Sequence, residues 1–589
     1  MSARQVAAAR AIRVLLTPLA IALPPLFWVV SATDRASRTP LGRDQGIFQY
    51  VGWALRTGQV DYRDLRDVNG PLTHLVHVAF LALGGADDHR FRVLDLTVTG
   101  ASFAFVGACL AGLGSRRAQD WPGRVAWALA GWVVLSGQYL LYGYWDIAQR
   151  ESFFDWFMLP SVALQLAAQT PPALWGRGPA HRAKRQVLQL GVAGALSLVP
   201  WFGKPTFALF TLAQLAAIAV DDKLLLPRKK AFAAFAVGGA LGTVVALALL
   251  VLYGDPLAFL RIQLSDVPAL YRFLWPRAAA DIFSNPWCAT QAIFAISGAI
   301  VLLSLVLLGE MPRALVALAL VPVCALVSVI VQAKGFPYHF HPVTAGVHLQ
   351  WLAFAAWLAE RTRVTRRSRA ILRLAPIAVG LVVAYRVATA MEDSPHVRAT
   401  WLLWSGGTAA DRATRDYFAR FPETDFFPYE MRQAAAYLRE HTKADDRVQV
   451  YGMDPYLLFL AGRLSATPYI YAYDLDVDAA LAGGTGGVPD ETQSERIRAI
   501  GASHETDLLA RLQAHPPAAF VFLDQSPLLA EADAWVDFEG HCAHAAPWVR
   551  ANYQESARFG HDHVWLRADL APVQPRPDEP AGPGDPAGP

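Results

Sequence analysis

Apolar runs of membrane-spanning length recur from the start of this chain almost to residue 390, and no other feature constrains its fold as tightly. They fall near residues 12–31, 91–113, 125–142, 152–169, 186–203, 205–220, 231–253, 290–308, 314–333, 340–359 and 370–390. Inside a bilayer every backbone N–H and C=O must be bonded within its own segment, so a run of about 20 apolar residues is a spanning helix. The sequence thus predicts a mainly α, polytopic membrane protein of about 11 transmembrane helices. Composition agrees, since 54% of the 589 residues are hydrophobic and only 17% charged, too apolar for a soluble enzyme. The first run follows Arg4, Arg10 and Arg13 and contains Pro18, Pro24 and Pro25. It is about 20 residues long and lacks a small-residue cleavage site, so it reads as a retained helix.

Basic residues set the orientation. Arg116, Arg117 and Arg124, then Arg177, Arg182, Lys184 and Arg185, then Lys223, Arg228, Lys229 and Lys230, then Arg313, then Arg361, Arg363, Arg366, Arg367 and Arg369 occupy alternate loops. The positive-inside rule puts these loops and the N-terminus in the cytoplasm. That assignment holds only if the apolar stretch 71–84, which is short and carries His74 and His77, lies on the outer surface as an interfacial helix. The predicted location is the cell inner (plasma) membrane, multi-pass, with the C-terminal part extracytoplasmic. Residues 1–390 form the membrane domain, 391–570 an α/β domain, and 571–589 a Pro/Gly tail with no apolar content to fold around. Within the α/β domain, strands are predicted at 447–452, 519–524 and 563–567, and helices at 431–440 and 506–514. A net charge of +3 spread over short loops gives no case for a nucleic acid partner. Cys109, Cys288, Cys324 and Cys542 are too scattered for a disulfide framework or a metal motif.

Polar chemistry collects on the outer face, in loops 32–70, 142–151, 203–205, 254–289 and 334–341. Asp44 opens a segment in which Ile47, Phe48, Val51 and Leu55 recur at helical spacing while Gln45, Gln49 and Arg56 fall elsewhere. This pattern suits a helix lying in the headgroup plane with a carboxylate at its positive end. An Asp in such a place also caps helices. In Tyr144-Trp145-Asp146-Ile147-Ala148-Gln149-Arg150-Glu151, the i, i+4 spacing puts Asp146 and Arg150 on one side of a helical turn, and a salt-bridged anchor is the simpler alternative. Lys204, in Gly203-Lys204-Pro205, either meets a lipid phosphate or snorkels to the headgroups. The turn Lys334-Gly335-Phe336-Pro337-Tyr338-His339-Phe340-His341 is either a binding loop or an aromatic belt. His339 and His341 have no third ligand at metal spacing, so no metal site is expected, and the sequence leaves any divalent-cation requirement open.

The first outer loop resembles the signature of GT-C glycosyltransferases that use polyprenyl-phosphate sugar donors, among them protein mannosyltransferases and aminoarabinose transferases. The residues that carry the likeness are Asp44 with Gln45, Tyr50, Gly52, Leu55 and Gly58, then Tyr62, Asp64, Asp67 and Gly70-Pro71. Where the family often has two prolines, this chain has Asn69-Gly70-Pro71. The resemblance implies a membrane-embedded transferase that moves a sugar with inversion, Asp44 acting as base and Glu151 as a second catalytic carboxylate. It implies that Asp146, Arg150, Lys204, Lys334, Tyr338, His339, His341, Tyr62 and Asp67 bind substrate. The implied partners are a polyprenyl-phosphate sugar, membrane lipids and an extracytoplasmic protein, lipid or glycan acceptor; no cofactor is implied.

Other classes fit less well. A transporter or flippase places ionisable groups near the bilayer midplane and often shows inverted repeats, whereas here they mass on one side. A non-catalytic envelope assembly protein would tolerate loss of Asp44. An O-antigen-type ligase or polymerase also uses lipid-linked donors, but lacks the acidic first loop.

Overall fold

A computed structural model describes residues 3–114, 121–169, 179–222, 224–360, 366–393, 397–398, 400, 412, 415–419 and 425–571. The Pro/Gly tail beyond 571 lies outside them, as do Arg116, Arg117, Arg177, Lys223, Arg361 and Arg363. Contacts divide the chain into a helical unit, Met1–Phe426 with Val477–Ile500, and a sheet unit, Phe427–Asp476 with Gly501–Pro589. Residues 477–500 group with the helices because they pack on the 254–289 loop, where Gly486 donates to the Pro276 carbonyl at 2.8 Å.

Every apolar run in the helical unit falls on a helix. Among the described residues, Leu15–Ala36, Asp88–Ala111, Arg228–Tyr253, Pro286–Leu307 and Arg313–Gln332 are long and apolar enough to cross a membrane. Trp121–Leu140, Arg150–Gln169, Pro179–Leu198, His341–Glu360 and Arg366–Asp393 have similar length and carry more polar residues. The run at 205–220 keeps its bounds, as a single 3-10 turn followed by Ala208–Val220. Val237, Leu241, Val244, Val251 and Leu252 of Arg228–Tyr253 are exposed, an apolar surface that calls for a hydrocarbon neighbour. Elsewhere small residues let backbones touch. A Cβ on Gly107 would sit 2.2 Å from the Trp127 carbonyl oxygen, so Asp88–Gly114 and Trp121–Leu140 pack backbone to backbone there.

The loop after the first long helix folds as two short helices, Arg43–Arg56 and Pro71–Gly84, and neither lies bare on a surface. The expectation of a polar face carrying Gln45 and Gln49 is corrected: both are buried, because each amide has a partner inside the protein. Gln49 faces His77 at 2.9 Å, and the two helices touch where a Cβ on Gly52 would lie 2.9 Å from that of His77. His74 and His77 are likewise buried rather than facing outward.

The sheet unit contains five strands in the order β2-β1-β3-β5-β4. β1 (Arg447–Tyr451), β2 (Leu464–Ser465) and β3 (Ala519–Leu523) are parallel; β5 (Asp562–Arg567) and β4 (Tyr553–Phe559) add antiparallel on the other side. Phe520 and Phe522 of β3 pack with Leu508, Leu512, Phe538 and Val549 to form its core. β4 escaped the sequence reading because its Gln554, Glu555 and Arg558 give an edge strand little apolar alternation. The helix expected from 506 begins at Glu491, since its polar first half has no apolar stripe to betray it.

Candidate active site

The site is built on the start of Arg43–Arg56. Gly42 is its N-cap, and Asp44 sits in the first turn, where free N–H groups and the helix dipole favour negative charge. Gln45 ties this end to residues 144–147: its amide donates to the carbonyls of Tyr144 at 3.2 Å, Trp145 at 3.1 Å and Ile147 at 2.5 Å. Its carbonyl accepts from Gly42 N–H at 2.5 Å and from Arg92 at 2.9 Å. Buried Arg92 also donates to the Pro40 carbonyl at 2.7 Å and the Tyr144 carbonyl at 2.9 Å. One amide and one guanidinium thus hold the Asp44 helix against the loop at 142–149.

That loop departs from the sequence expectation. Gly143–Asp146 is a single turn, ended by extended Ile147 and by Ala148 at φ 54, and the helix restarts at Arg150. Asp146 and Arg150 therefore do not share a helical turn, because the backbone breaks between them. Arg150 instead donates to the Asn69 side-chain carbonyl and the Tyr338 hydroxyl, with its Nη2 4.0 Å from Asp44 Oδ2. The Tyr338 ring lies 5.1 Å from its guanidinium carbon, and Tyr271 is hydrogen-bonded to it as well.

Asn69 is held from behind. Its backbone N–H and its side-chain amide donate to Asp67 Oδ1 at 2.8 and 2.6 Å. The other Asp67 oxygen lies 3.2 Å from His74 Nε2, and His74 Nδ1 lies 2.7 Å from Asp61. Tyr62 donates to the Asn69 carbonyl at 2.8 Å. Asp67 and Tyr62 are thus buried inside the loop, acting on Asn69.

Lys204 reaches the same place from its turn, donating to Glu151 Oε1 and to Gln332. His339 Nε2 lies 3.6 Å from the same Glu151 oxygen. Gly70 permits this approach, because a Cβ there would fall 2.2 Å from the Phe202 carbonyl oxygen. Lys334 donates to the carbonyls of Tyr271 at 3.1 Å and Leu274, which places it beside the cluster rather than on Glu151. His341 turns away: its Nε2 is 2.8 Å from the Asp146 carbonyl oxygen, and its ring stacks on Tyr142 at 3.8 Å.

Electrostatics follow from this packing. Burial raises the Asp44 carboxyl above its ordinary value, outweighing the pull of Arg150 and Arg43, although its side chain keeps 27% exposure. Burial, then the like charge of Asp44, pushes Asp146 up to about 8. Burial brings Lys204 down to about 8 against the attraction of Glu151, and brings Lys334 to about 8. His339 is held well below its usual range by burial and by the three cations Lys204, Arg150 and Lys334, and is neutral. For His74 burial is overcome by Asp61 and Asp67, which carry it to about 10.

An apolar groove of about 380 Å³ runs along the helical unit, lined by Pro71, Leu72, Phe157, Leu196, Phe202 and Val245 among others. Pro71 is two residues beyond Asn69, and Phe202 two residues before Lys204. Asn69 bonds Arg150 and Lys204 bonds Glu151, so the groove lining is joined through the chain to the cations of the site. That combination suits an amphiphile with an anionic head.

The structure adds Asn69, Tyr271 and Gln332 to the residues picked from sequence. Asn69 stood in the quoted loop motif and Gln332 two residues before Lys334, so proximity was a usable signal; nothing marked Tyr271.

No family model matches the sequence, and no curated protein matches it. Among solved structures the chain is similar to ArnT from Cupriavidus metallidurans bound to undecaprenyl phosphate, with a TM-score of 0.52 and 15% identity, covering 94% of this chain and 99% of that one. The apo form of the same protein gives 0.51 and 14%, covering 94% and 98%. Archaeal oligosaccharyltransferase AglB from Archaeoglobus fulgidus aligns more loosely, at 0.40 and 12%, covering 93% and 75%. The likeness to ArnT is one of fold.

Proposed function

We propose that this protein is a membrane glycosyltransferase that moves one sugar from a polyprenyl-phosphate donor to an acceptor outside the cytoplasm. The observation that carries this reading is the meeting of Asp44 with Arg150 at 4.0 Å, backed by Lys204 on Glu151, from three segments far apart in sequence. Asp44 takes the proton of the acceptor hydroxyl; the acceptor oxygen bonds to the anomeric carbon as the carbon–oxygen bond to phosphate breaks on the opposite face, giving inversion. The departing phosphate keeps its electron pair and is stabilised by Arg150 and Lys204, with Lys334 nearby. Glu151 holds Lys204, and Tyr338 and Asn69 hold Arg150, so their contribution is to aim the cations. Asp67 and Tyr62 act one layer further out, on Asn69.

In this reading the polyprenyl chain lies in the apolar groove, in keeping with the undecaprenyl phosphate bound by ArnT, the protein of similar fold. The helices cross the inner membrane about 11 times, with the N-terminus cytoplasmic and the site on the far side. The test is transfer from a set of synthetic polyprenyl-phosphate sugars by purified protein, beside Asp44→Asn. Loss of about 10²–10⁴-fold in rate is expected. Full activity in the variant removes the proposed base, and substrate movement without bond cleavage makes the protein a transporter.

A further inference from the structure

The sheet unit holds a second polar constellation, remote in sequence from the first loop and unused by the reaction above. Asp537 and His541 lie four residues apart on the helix Ala534–His541, and therefore on one face. Asp476, which follows the turn Ala472–Asp474, meets them. One donor atom from each of the three lies within 4.8 Å of the others.

Three features suit this group to a metal ion. First, His541 Nε2 and Asp476 Oδ1 are 3.4 Å apart, long for an N–H···O bond. Two donors each about 2.0–2.1 Å from a tetrahedral zinc ion are about 3.4 Å apart, so this separation is the edge of a coordination tetrahedron. Second, His541 Nδ1 lies 2.9 Å from the Asp537 backbone carbonyl oxygen and 3.6 Å from Asp537 Oδ2. Donation of the Nδ1 proton to the carbonyl oxygen leaves the Nε2 lone pair aimed at Asp476, the arrangement that orients metal-bound histidines. Third, both carboxylates are already steered by outer donors. Ala530 N–H donates to Asp476 Oδ2 at 2.9 Å, Glu531 N–H to Asp537 Oδ1 at 2.9 Å, and the Tyr451 hydroxyl to Asp537 Oδ2 at 2.6 Å. Both acids are buried, while the His541 side chain keeps 19% exposure and offers a way in.

We propose that Asp476, Asp537 and His541 form a binding site for a divalent transition-metal cation such as Zn²⁺. One imidazole with two carboxylates supplies three protein ligands, and solvent at the exposed edge of His541 supplies the fourth. The imidazole selects Zn²⁺ or Co²⁺ over Mg²⁺ and Ca²⁺, which take oxygen donors. The ion would tie the segment before residue 477 to the helix after β3, parts of the unit more than fifty residues apart in sequence.

The experiment uses the full chain in detergent, stripped with chelator and titrated with Zn²⁺ and with Co²⁺ as a visible probe. Expected are one bound equivalent, a ligand-field spectrum of tetrahedral Co²⁺, and an apparent melting point that rises with Zn²⁺ but not with Mg²⁺ or Ca²⁺. His541→Gln and Asp476→Asn should each lose the equivalent, and Asp44→Asn should keep it. Should either of the first two variants fail to fold, Tyr451→Phe removes only an outer hydrogen bond and should weaken Zn²⁺ binding by about tenfold. The proposal is overturned if the wild-type chain binds no Zn²⁺, if Mg²⁺ competes equally, or if the bound equivalent is lost with Asp44→Asn instead. Any of these would leave His541 as an imidazolium shared between two carboxylates.

Discussion

Asp524 and Asp537 of the sheet unit and Asp44 and Glu151 of the helical unit are all buried or half-buried acids, and they are satisfied in different ways. In the sheet unit Asp524 takes the Ala534 N–H at 2.9 Å and His563 at 2.8 Å, and Asp537 takes the Glu531 N–H, so backbone donors fix each carboxylate where it stands. In the helical unit Asp44 meets its guanidinium at 4.0 Å. Glu151 spends one oxygen on Lys204 while its other oxygen, His339 Nδ1 and Arg150 Nε are buried with no hydrogen-bond partner. A buried polar atom without a partner costs about 1–3 kcal/mol, and three of them side by side are open to water or to a polar ligand.

The sharpest way to break this contrast is at the two kinds of carboxylate. Asp44→Asn should lower the transfer rate by about 10²–10⁴-fold with little change in melting point, whereas Asp524→Asn should lower the melting point and spare the rate. Next comes His74→Gln, which breaks a buried pair inside the loop and should cost about 3–5 kcal/mol of stability in chemical denaturation. Because the folded His74 sits at about 10, above its unfolded value of 6.5, its contribution is complete below 6.5 and fades as pH rises through about 10. The variant should flatten that alkaline limb. Arg150→Lys retains charge but loses the fork that spans Asn69 and Tyr338; a fall in kcat/KM of about 10- to 100-fold is expected in steady-state assays. A smaller effect comes from pH alone: as Lys204 loses its proton through about 8, KM for the lipid donor should rise, and Lys204→Arg should move that limb to higher pH. Smallest is Arg511→Ala in the sheet unit, whose exposed pair with Asp507 should be worth under about 1 kcal/mol by thermal melt.

Much of the helical unit was legible because hydrocarbon imposes one rule on every segment, and each apolar run from 12 to 390 falls on a helix. Asp44, Arg150, Glu151 and Lys204 were legible as charges placed at the ends of such runs. Side-chain partners were not. Gln45 and Gln49 looked solvent-facing because period alone cannot tell an amide in water from an amide on a buried carbonyl. The pairing of Asp146 with Arg150 failed because spacing arguments assume an unbroken helix, and Ala148 adopts a positive φ that nothing in its identity announces. Asp67 looked like a ligand because a motif records which residues recur, not which atom each one touches. In the sheet unit the buried runs 447–451 and 519–523 were plain, while β4 was hidden by its charged edge character.

Gly70 carries a consequence for anyone reshaping this chain. Its missing side chain is the clearance through which the end of the first loop meets the backbone at Phe202 and Gly203. A saturation library at position 70 should return glycine alone among active clones, whereas its neighbour Asn69 will accept any amide able to reach Arg150. Two distant stretches of sequence are thus mated by a vacancy one methyl wide, and the alignment of the lysine turn is inherited from an atom that is not there.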